Sequence, residues 1–404
     1  MSKNIWYVTK YFEPKNESTY GGRSWSIVKG LSDAGCKMTV VTSDSNNLAK
    51  LPDLDSRVTL EDIDGVTICW LKTMKYGVAK SLARILSWLH FELNLFLLDK
   101  NKLDKPDVII VSSLSLITIL NGFLLRKKFG CKLVFEIRDI WPLTLVEEGG
   151  FNESNIFIKA LAYVEKLGYE KSDVIVGTMP NLKEHVEEVL GHQKEVYCIP
   201  MGLNNDQLEY SMPLSEECKE YMSSDKFKVV YAGTIGITNA LESFFEVAES
   251  LQARDDIEFI LVGDGALKKQ YMTQYSHLNN LIFVPKIPRK MVQSILSEAD
   301  LLYFSVYNSK VWHYGQSLNK VIDYMLSGKP IVASYTGYPS MINEAGSGTF
   351  VEVGDSEALT KEIERYSNMK LEEREEIGAR GRTWLIENRK YDVLAGEYAR
   401  LLFN

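Results

Sequence analysis

Short β-branched runs and helical stretches alternate along this chain in two series separated by one polar interval, and that alternation restricts the fold more than any other feature. The first series opens with a strand over residues 4–9, a loop over 10–22, a helix over 23–34 and a strand over 37–42. Further strands are predicted at 66–71, 107–112, 132–137 and 174–177, with helices at 119–128 and 156–171 between them. A last short run at 196–202 precedes a charged stretch that contains Pro213, runs to Lys226 and reads as a hinge. The alternation then restarts, with strands predicted at 228–232, 258–262, 282–285, 301–305 and 330–334 and helices at 240–253, 268–276, 289–298 and 319–327. Strands that alternate with helices form parallel sheets covered on both faces. The expected fold class is therefore α/β, with two doubly wound Rossmann-like domains facing a central cleft at the carboxyl ends of their strands. The domains read as 1–204 and 205–385, with a C-terminal helix over 386–404 that could pack back on the first.

Charge and composition exclude several functions. A net charge of −8 over 404 residues argues against a general nucleic-acid binder, which needs a basic surface to neutralise phosphates. Cys36, Cys69, Cys131, Cys198 and Cys218 form no CxxC pair, and no two of the five histidines stand at metal-ligand spacing, so no metal site is expected. The first residues lack a signal-peptide pattern, and the expected location is cytoplasmic. Against the acidic background, residues 72–102 carry six cations (Lys72, Lys75, Lys80, Arg84, Lys100, Lys102) and two carboxylates (Glu92, Asp99) around Trp88, Leu89, Phe91, Leu95 and Phe96. Such a stretch suits either the interface of an anionic membrane or a core helix with solvated lysines.

Four segments carry the candidate chemistry. Gly233 and Gly236, flanking Thr234, follow an apolar strand and precede a helix, where backbone N–H groups can approach an anion or the glycines simply turn the chain. In GQSLNKVIDYMLSGKP, Ser317 can cap a helix whose first turn presents the N–H groups of Leu318, Asn319 and Lys320. Lys320 adds a point charge, and Asp323, one turn beyond Asn319, can accept hydrogen bonds from vicinal ribose hydroxyls. In the first series, Arg138 and Asp139 follow Glu136 at a carboxyl strand end, as a binding cluster or as a surface ion pair. Gly21, Gly22 and Arg23 open the first helix and could meet an anion. Neither GxGxxG nor GxxxxGK[ST] occurs, which counts against a dinucleotide enzyme or a P-loop ATPase.

YAGTIG, the VGDG turn followed by Lys268, VPKIPR, Ala299–Asp300 and SLNKVIDYMLSGKPIV stand in the order found in retaining glycosyltransferases of the two-Rossmann-domain (GT-B) type, which the chain resembles nearly end to end. GGRSWSIVKGLSDAGCKMTVVTS and EIRDIWP resemble the family-four branch that acts on amino sugars in bacterial surface polysaccharide assembly. The resemblance implies a nucleotide-diphospho-sugar donor on the C-terminal domain, an acceptor on the N-terminal domain, and neither metal nor other cofactor. It places the base, expected to be uracil, against the backbone of Lys286 and Ile287. The family brackets its donor motif with two glutamates; here Gly315 and Asp323 stand at those positions. The usual N-terminal histidine matches Arg138, and the usual diphosphate arginine matches Thr234, so that Lys320 or Arg23 is expected to substitute.

The function expected from this resemblance is transfer of a sugar, an N-acetylated amino sugar, from a UDP-sugar to a polyprenyl-diphosphate-linked or saccharide acceptor in O-antigen or capsule assembly. It would occur on the inner face of the cytoplasmic membrane, with Arg138, Asp139 and Lys320 as catalytic residues. A UDP-sugar 2-epimerase and a non-catalytic sugar-nucleotide-binding subunit are the alternatives. Changed sugar without acceptor would mark the first, and donor binding without transfer the second.

Overall fold

The computed structural model describes residues 3–16, 19–46, 51–77, 81–113 and 115–403. The chain divides into two compact units, residues 1–200 with 391–404, and residues 201–390.

The first unit is built on eight strands: β1 (Asn4–Val8), β2 (Lys37–Ser43), β3 (Val58–Ile63), β4 (Val66–Leu71), β5 (Val108–Ser112), β6 (Lys132–Ile137), β7 (Val174–Gly177) and β8 (Val196–Cys198). Their order is β3-β4-β2-β1-β5-β6-β7-β8, and every pairing is parallel except β3 with β4. That hairpin turns on Asp64 and Gly65, both with positive φ, as a two-residue turn matching the strand twist requires. The sequence reading did not foresee β3. The central strands are apolar on both faces because helices cover both, and Ile5, Val40, Ile110 and Val134 are fully buried. Helix Tyr391–Phe403 contributes Tyr391, Leu394, Tyr398 and Leu402 to this core. It lies so close to helix Arg23–Asp33 that a Cβ on Gly30 would stand 2.5 Å from the Ala395 Cβ.

The second unit carries β9 (Phe227–Ala232), β10 (Ile257–Val262), β11 (Leu281–Val284), β12 (Leu301–Ser305), β13 (Ile331–Ser334) and β14 (Gly348–Val351). All run parallel in the order β11-β10-β9-β12-β13-β14, the doubly wound arrangement whose topological switch lies between β9 and β12. The interval read as a hinge is part of this unit. It forms helices Asn205–Glu209 and Glu216–Tyr221 and buries Leu203 and Met222 in the same core as Val230 and Leu302. Buried Leu203, Cys218 and Met222, with Leu208 and Leu214 packed on the core, fix a stretch whose charges suggested a solvated link.

Candidate functional site

Neighbouring parallel strands that continue in opposite directions leave a crevice at their carboxyl ends, and in the second unit the loops after β9 and β12 meet there. Tyr307 N donates to Thr238 O at 3.2 Å, and Ser305 Oγ donates to Asn239 O. Helix Asn319–Leu326 approaches the same place, anchored by buried Val321, Ile322 and Met325. The Tyr324 hydroxyl, which accepts from Ala232 N at 2.8 Å and donates to Ala232 O at 3.2 Å, fixes it to the end of β9.

This brings Lys320 to the switch point. Its Nζ donates to the Tyr231 hydroxyl at 3.2 Å and to Asn239 Oδ1, and lies 4.8 Å from the Tyr231 ring centroid. The hydroxyl in turn donates to Thr234 O at 2.6 Å, linking the lysine to the glycine loop. These partners are neutral, and among the described residues no carboxylate pairs with Lys320. Burial pushes its ammonium down to about 7, so the group favours whatever negative charge arrives beside it. Tyr231 and Asn239 were not identified from the sequence, although Asn239 follows Gly236 by three residues.

The rest of the motif differs from the expectation. Ser317 does not cap the helix: Leu318 is the N-cap residue, with no side-chain cap, and Ser317 Oγ accepts from Met201 N at 2.8 Å. The long-range N–H outcompeted the local one, and among the described residues no side-chain oxygen caps the start of this helix. Asp323 is buried beneath Arg289, whose Nη1 and Nη2 each reach one carboxylate oxygen at 2.7 Å, and Gln207 Nε2 donates to Oδ1 at 3.3 Å. Burial pushes this carboxyl up, against the pull of Arg289. Three donors leave one acceptor direction on Oδ2, so the carboxylate cannot receive two vicinal hydroxyls without giving up a partner. Gly315 has φ 101°, a conformation that strains any L side chain. Beside it, Gln316 is buried with neither polar atom hydrogen-bonded, and Gln316, too, was not foreseen. A buried amide without partners is costly and needs a role.

The loop after β9 packs against the turn after β10, and the glycines that allow this approach are Gly263 and Gly265. A Cβ on Gly263 would lie 1.9 Å from Gly233 O, and one on Gly265 2.1 Å from Ile235 O. Gly233 N and Ile235 N donate to Val262 O and Asp264 O at 3.0 and 2.9 Å. A Cβ on Gly236 would meet only Thr234 Cγ2, at an ordinary 3.7 Å, and Thr234 is exposed. Lys286 and Ile287 lie in the loop after β11, Lys286 exposed and Ile287 packed on the core.

In the first unit Arg23 is not available to an anion. Its Nη1 pairs with Glu136 Oε1 at 2.8 Å, both side chains fully buried, while Nε and Nη2 donate to Pro200 O and Ile199 O at 3.2 and 2.6 Å. The Tyr7 hydroxyl donates to Glu136 Oε2. Arg138 and Asp139 form no ion pair. Arg138 Nη1 donates to Ser24 Oγ at 3.0 Å, and Asp139 accepts from Trp141 Nε1 at 2.8 Å and Thr144 Oγ1 at 2.7 Å. Asp139 thus holds the turn through the cis Trp141–Pro142 bond, while half-buried Arg138 stands at the carboxyl end of β6. Gly21, with φ 81°, brings its backbone against Trp25, and Gly22 N donates to Glu13 O at 3.0 Å.

Several solved structures share this architecture. Sucrose-phosphate synthase from Thermosynechococcus elongatus superposes with a TM-score of 0.74 at 16% identity, covering 99% of this chain and 98% of its own. The E. coli trehalose-6-phosphate structure bound with UDP-2-fluoro glucose gives 0.75 at 12%, with the same coverage. Anabaena HepE in complex with UDP and glucose gives 0.63 at 12%, covering 99% of each chain. No curated protein sequence matches the chain. Residues 226–368 match the family model of Glycosyl transferases group 1, and the chain as a whole has the GT-B fold.

Proposed function

We propose that the chain is a retaining, metal-independent glycosyltransferase that moves a sugar from a UDP-sugar to an acceptor. The single observation that carries this reading is the Lys320 ammonium at the switch point, held by neutral groups and paired with no described carboxylate. As the glycosidic bond breaks, charge builds on the departing diphosphate. Lys320, the N–H groups of Leu318, Asn319 and Lys320, and those near Gly236 would receive it. Gln316 is suited to a sugar hydroxyl, because its amide can both donate and accept. One free direction on Asp323 suits one ribose hydroxyl, and the backbone of Lys286 and Ile287 the uracil edge. Arg138 would orient the acceptor, with Asp139 fixing the turn beside it. The acceptor hydroxyl attacks the face the diphosphate leaves, and a diphosphate oxygen takes its proton, so no protein nucleophile is assigned. The finer reading, an N-acetylhexosamine passed to a polyprenyl-diphosphate-linked acceptor of O-antigen or capsule assembly on the inner face of the membrane, rests on the sequence resemblance. It is supported by the exposed leucines of residues 82–97.

Radiolabelled UDP-sugars incubated with a panel of lipid-linked and free saccharides, with and without EDTA, test this. Transfer that survives EDTA is expected. Loss restored only by Mg²⁺ would overturn the metal-free reading, and absence of transfer with every acceptor the enzymatic one. GDP binding more tightly than UDP would reject the base assignment.

The buried ammonium makes UDP binding proton-linked. Below about pH 7 Lys320 already carries its proton, whereas above it the free protein must take one up to meet the diphosphate. At pH 8 the expected uptake attributable to Lys320 is up to about 0.9 proton per UDP, and affinity falls with pH by at most about tenfold per unit. Calorimetry in two buffers of different ionisation enthalpy measures the uptake. An unchanged value in Lys320→Met would show that the proton goes elsewhere.

A further inference from the structure

Helix Leu82–Phe96 is apolar on two faces. Trp88, Phe91 and Leu95 are buried in the first unit, which removes them from any membrane-inserting role, while Leu82, Leu86, Leu89, Leu93 and Phe96 stand at spacings of four, three, four and three, each more than half exposed. Val78, Ala79 and Lys80, counted in the sequence reading of this stretch, lie outside the described residues. The exposed face does not end with that helix. Helix Thr118–Phe129, joined to it by Asn121 Nδ2 donating to Glu92 Oε2 at 2.7 Å, exposes Leu120 and Leu124. Helix Ile156–Lys171, packed on the second, exposes Ile156 and Tyr163.

Charge on these three helices is as one-sided as their apolarity. They carry Arg84, Arg126, Lys127, Lys128, Lys159, Lys166 and Lys171 in a chain whose net charge is −8, and of these Arg126 is paired with Asp173 at 2.7 Å. Of their three carboxylates two turn inward, Glu92 onto Ser115, Thr118 and Asn121, and Glu165 onto Tyr169 and His185. Only Glu170 is exposed. Lys100, just beyond the first helix, donates to the carbonyls of Leu95, Phe96 and Leu98 and feels the charge of Lys128 at the end of the second. Next to that end a hollow is lined by Phe123, Arg126, Lys127, Gly130, Cys131 and Lys171.

We propose that these three helices form one platform that docks on an anionic lipid bilayer, with the leucines and aromatics in the acyl boundary and the lysines against headgroup phosphates. Exposed leucines and aromatics on three packed helices, with Lys127, Lys128, Lys159 and Lys166 exposed among them, match that surface. A second copy fits poorly, because a two-fold contact through this face would set lysines against lysines. No described helix is long and apolar enough to cross a membrane, so the contact lies in the interfacial plane. The proposal deepens the lipid-linked-acceptor reading in purpose, but its evidence is the surface alone.

Co-sedimentation of the full chain with phosphatidylcholine vesicles, with and without phosphatidylglycerol, tests it at low and high salt. Salt-sensitive binding to the anionic vesicles is expected. The charge reversals Lys127→Glu, Lys128→Glu and Lys159→Glu, made together outside residues 72–102, should weaken it by at least about 100-fold. Leu124→Glu with Tyr163→Glu, at exposed positions that leave the core intact, should abolish it. Sedimentation of either variant like the unmodified chain would overturn the three-helix platform. So would failure to bind anionic vesicles, or dimerisation in light scattering that Leu89→Glu abolishes. Sedimentation involves no sugar transfer, so failure of the transferase reading leaves this result standing. Transfer to a water-soluble acceptor without vesicles should persist in both variants.

Discussion

Lys320→Met is expected to lower sugar transfer by about 10²–10³-fold, the usual consequence of removing one preorganised donor from a developing oxyanion. Methionine keeps much of the volume beneath the loop after β9 and removes only the ammonium, so Tyr231 can retain its bond to Thr234 O and the glycine turn should persist. The ground-state complex should suffer less. UDP already carries its charges when it binds, and part of that charge is met by the open N–H groups at the start of helix Asn319–Leu326, leaving an affinity loss of about tenfold. The difference between the two losses is the stabilisation reserved for the transition state. Turnover at saturating UDP-sugar and calorimetric UDP affinity measure them separately. Equal losses would reduce Lys320 to a binding residue, and no loss in either would remove it from the site. Tyr231→Phe is a milder companion, since it leaves the charge and the ring and deletes only the hydroxyl that positions Nζ.

How far these residues were readable depends on whether their partners are near in sequence. β4 and β12 lie within the boundaries that local apolar runs predicted, because a parallel strand buried on both faces announces itself without help from distant residues. Two strands were missed for opposite reasons. β3 has an exposed, charged face and reads as loop, although the Asp-Gly pair after it was a hairpin signal in plain view. β14 is only four residues long, and its glycine is required because a Cβ on Gly348 would stand 2.1 Å from Ile331 O, a contact made by fold closure alone. At the site, the helix that carries Lys320 followed from its apolar period, whereas the Tyr231 and Asn239 partners of that lysine did not. Ser317 was assigned to its own helix and Asp323 to ribose hydroxyls, whereas their partners in the fold, Met201 N and the Arg289 guanidinium, lie 116 and 34 residues away. The same rule governs the helix at 82–96: its period was legible, but which apolar stripe turns inward depends on what packs against it.

Arg23 and Glu136 are the strongest case of a long-range partnership, 113 residues apart, and Glu136→Ala is expected to destabilise the first unit by about 3–5 kcal/mol. The loss exceeds the net worth of the pair, because alanine leaves a buried guanidinium with two carbonyls and no counter-charge, and takes the acceptor from the Tyr7 hydroxyl as well. Burial alone would push the Glu136 carboxyl up, but Arg23, the Tyr7 hydroxyl and Arg138 together hold it below the usual range. A depressed carboxyl contributes stability that is present above its unfolded pKa and lost as pH falls through the folded one. Acid unfolding of this unit should therefore begin at higher pH in proteins where the arrangement is weakened by Tyr7→Phe. In urea at neutral pH the first unit's transition in Glu136→Ala should move down by roughly 1–2 M, taking about 2–3 kcal/mol/M for a unit of this size. Replacing both partners, Arg23→Met with Glu136→Leu, should recover part of the loss, because two apolar side chains need no counter-charge in the core. A double variant less stable than Glu136→Ala alone would show that the guanidinium's bonds to Ile199 O and Pro200 O, rather than the ion pair, hold that end of the sheet together.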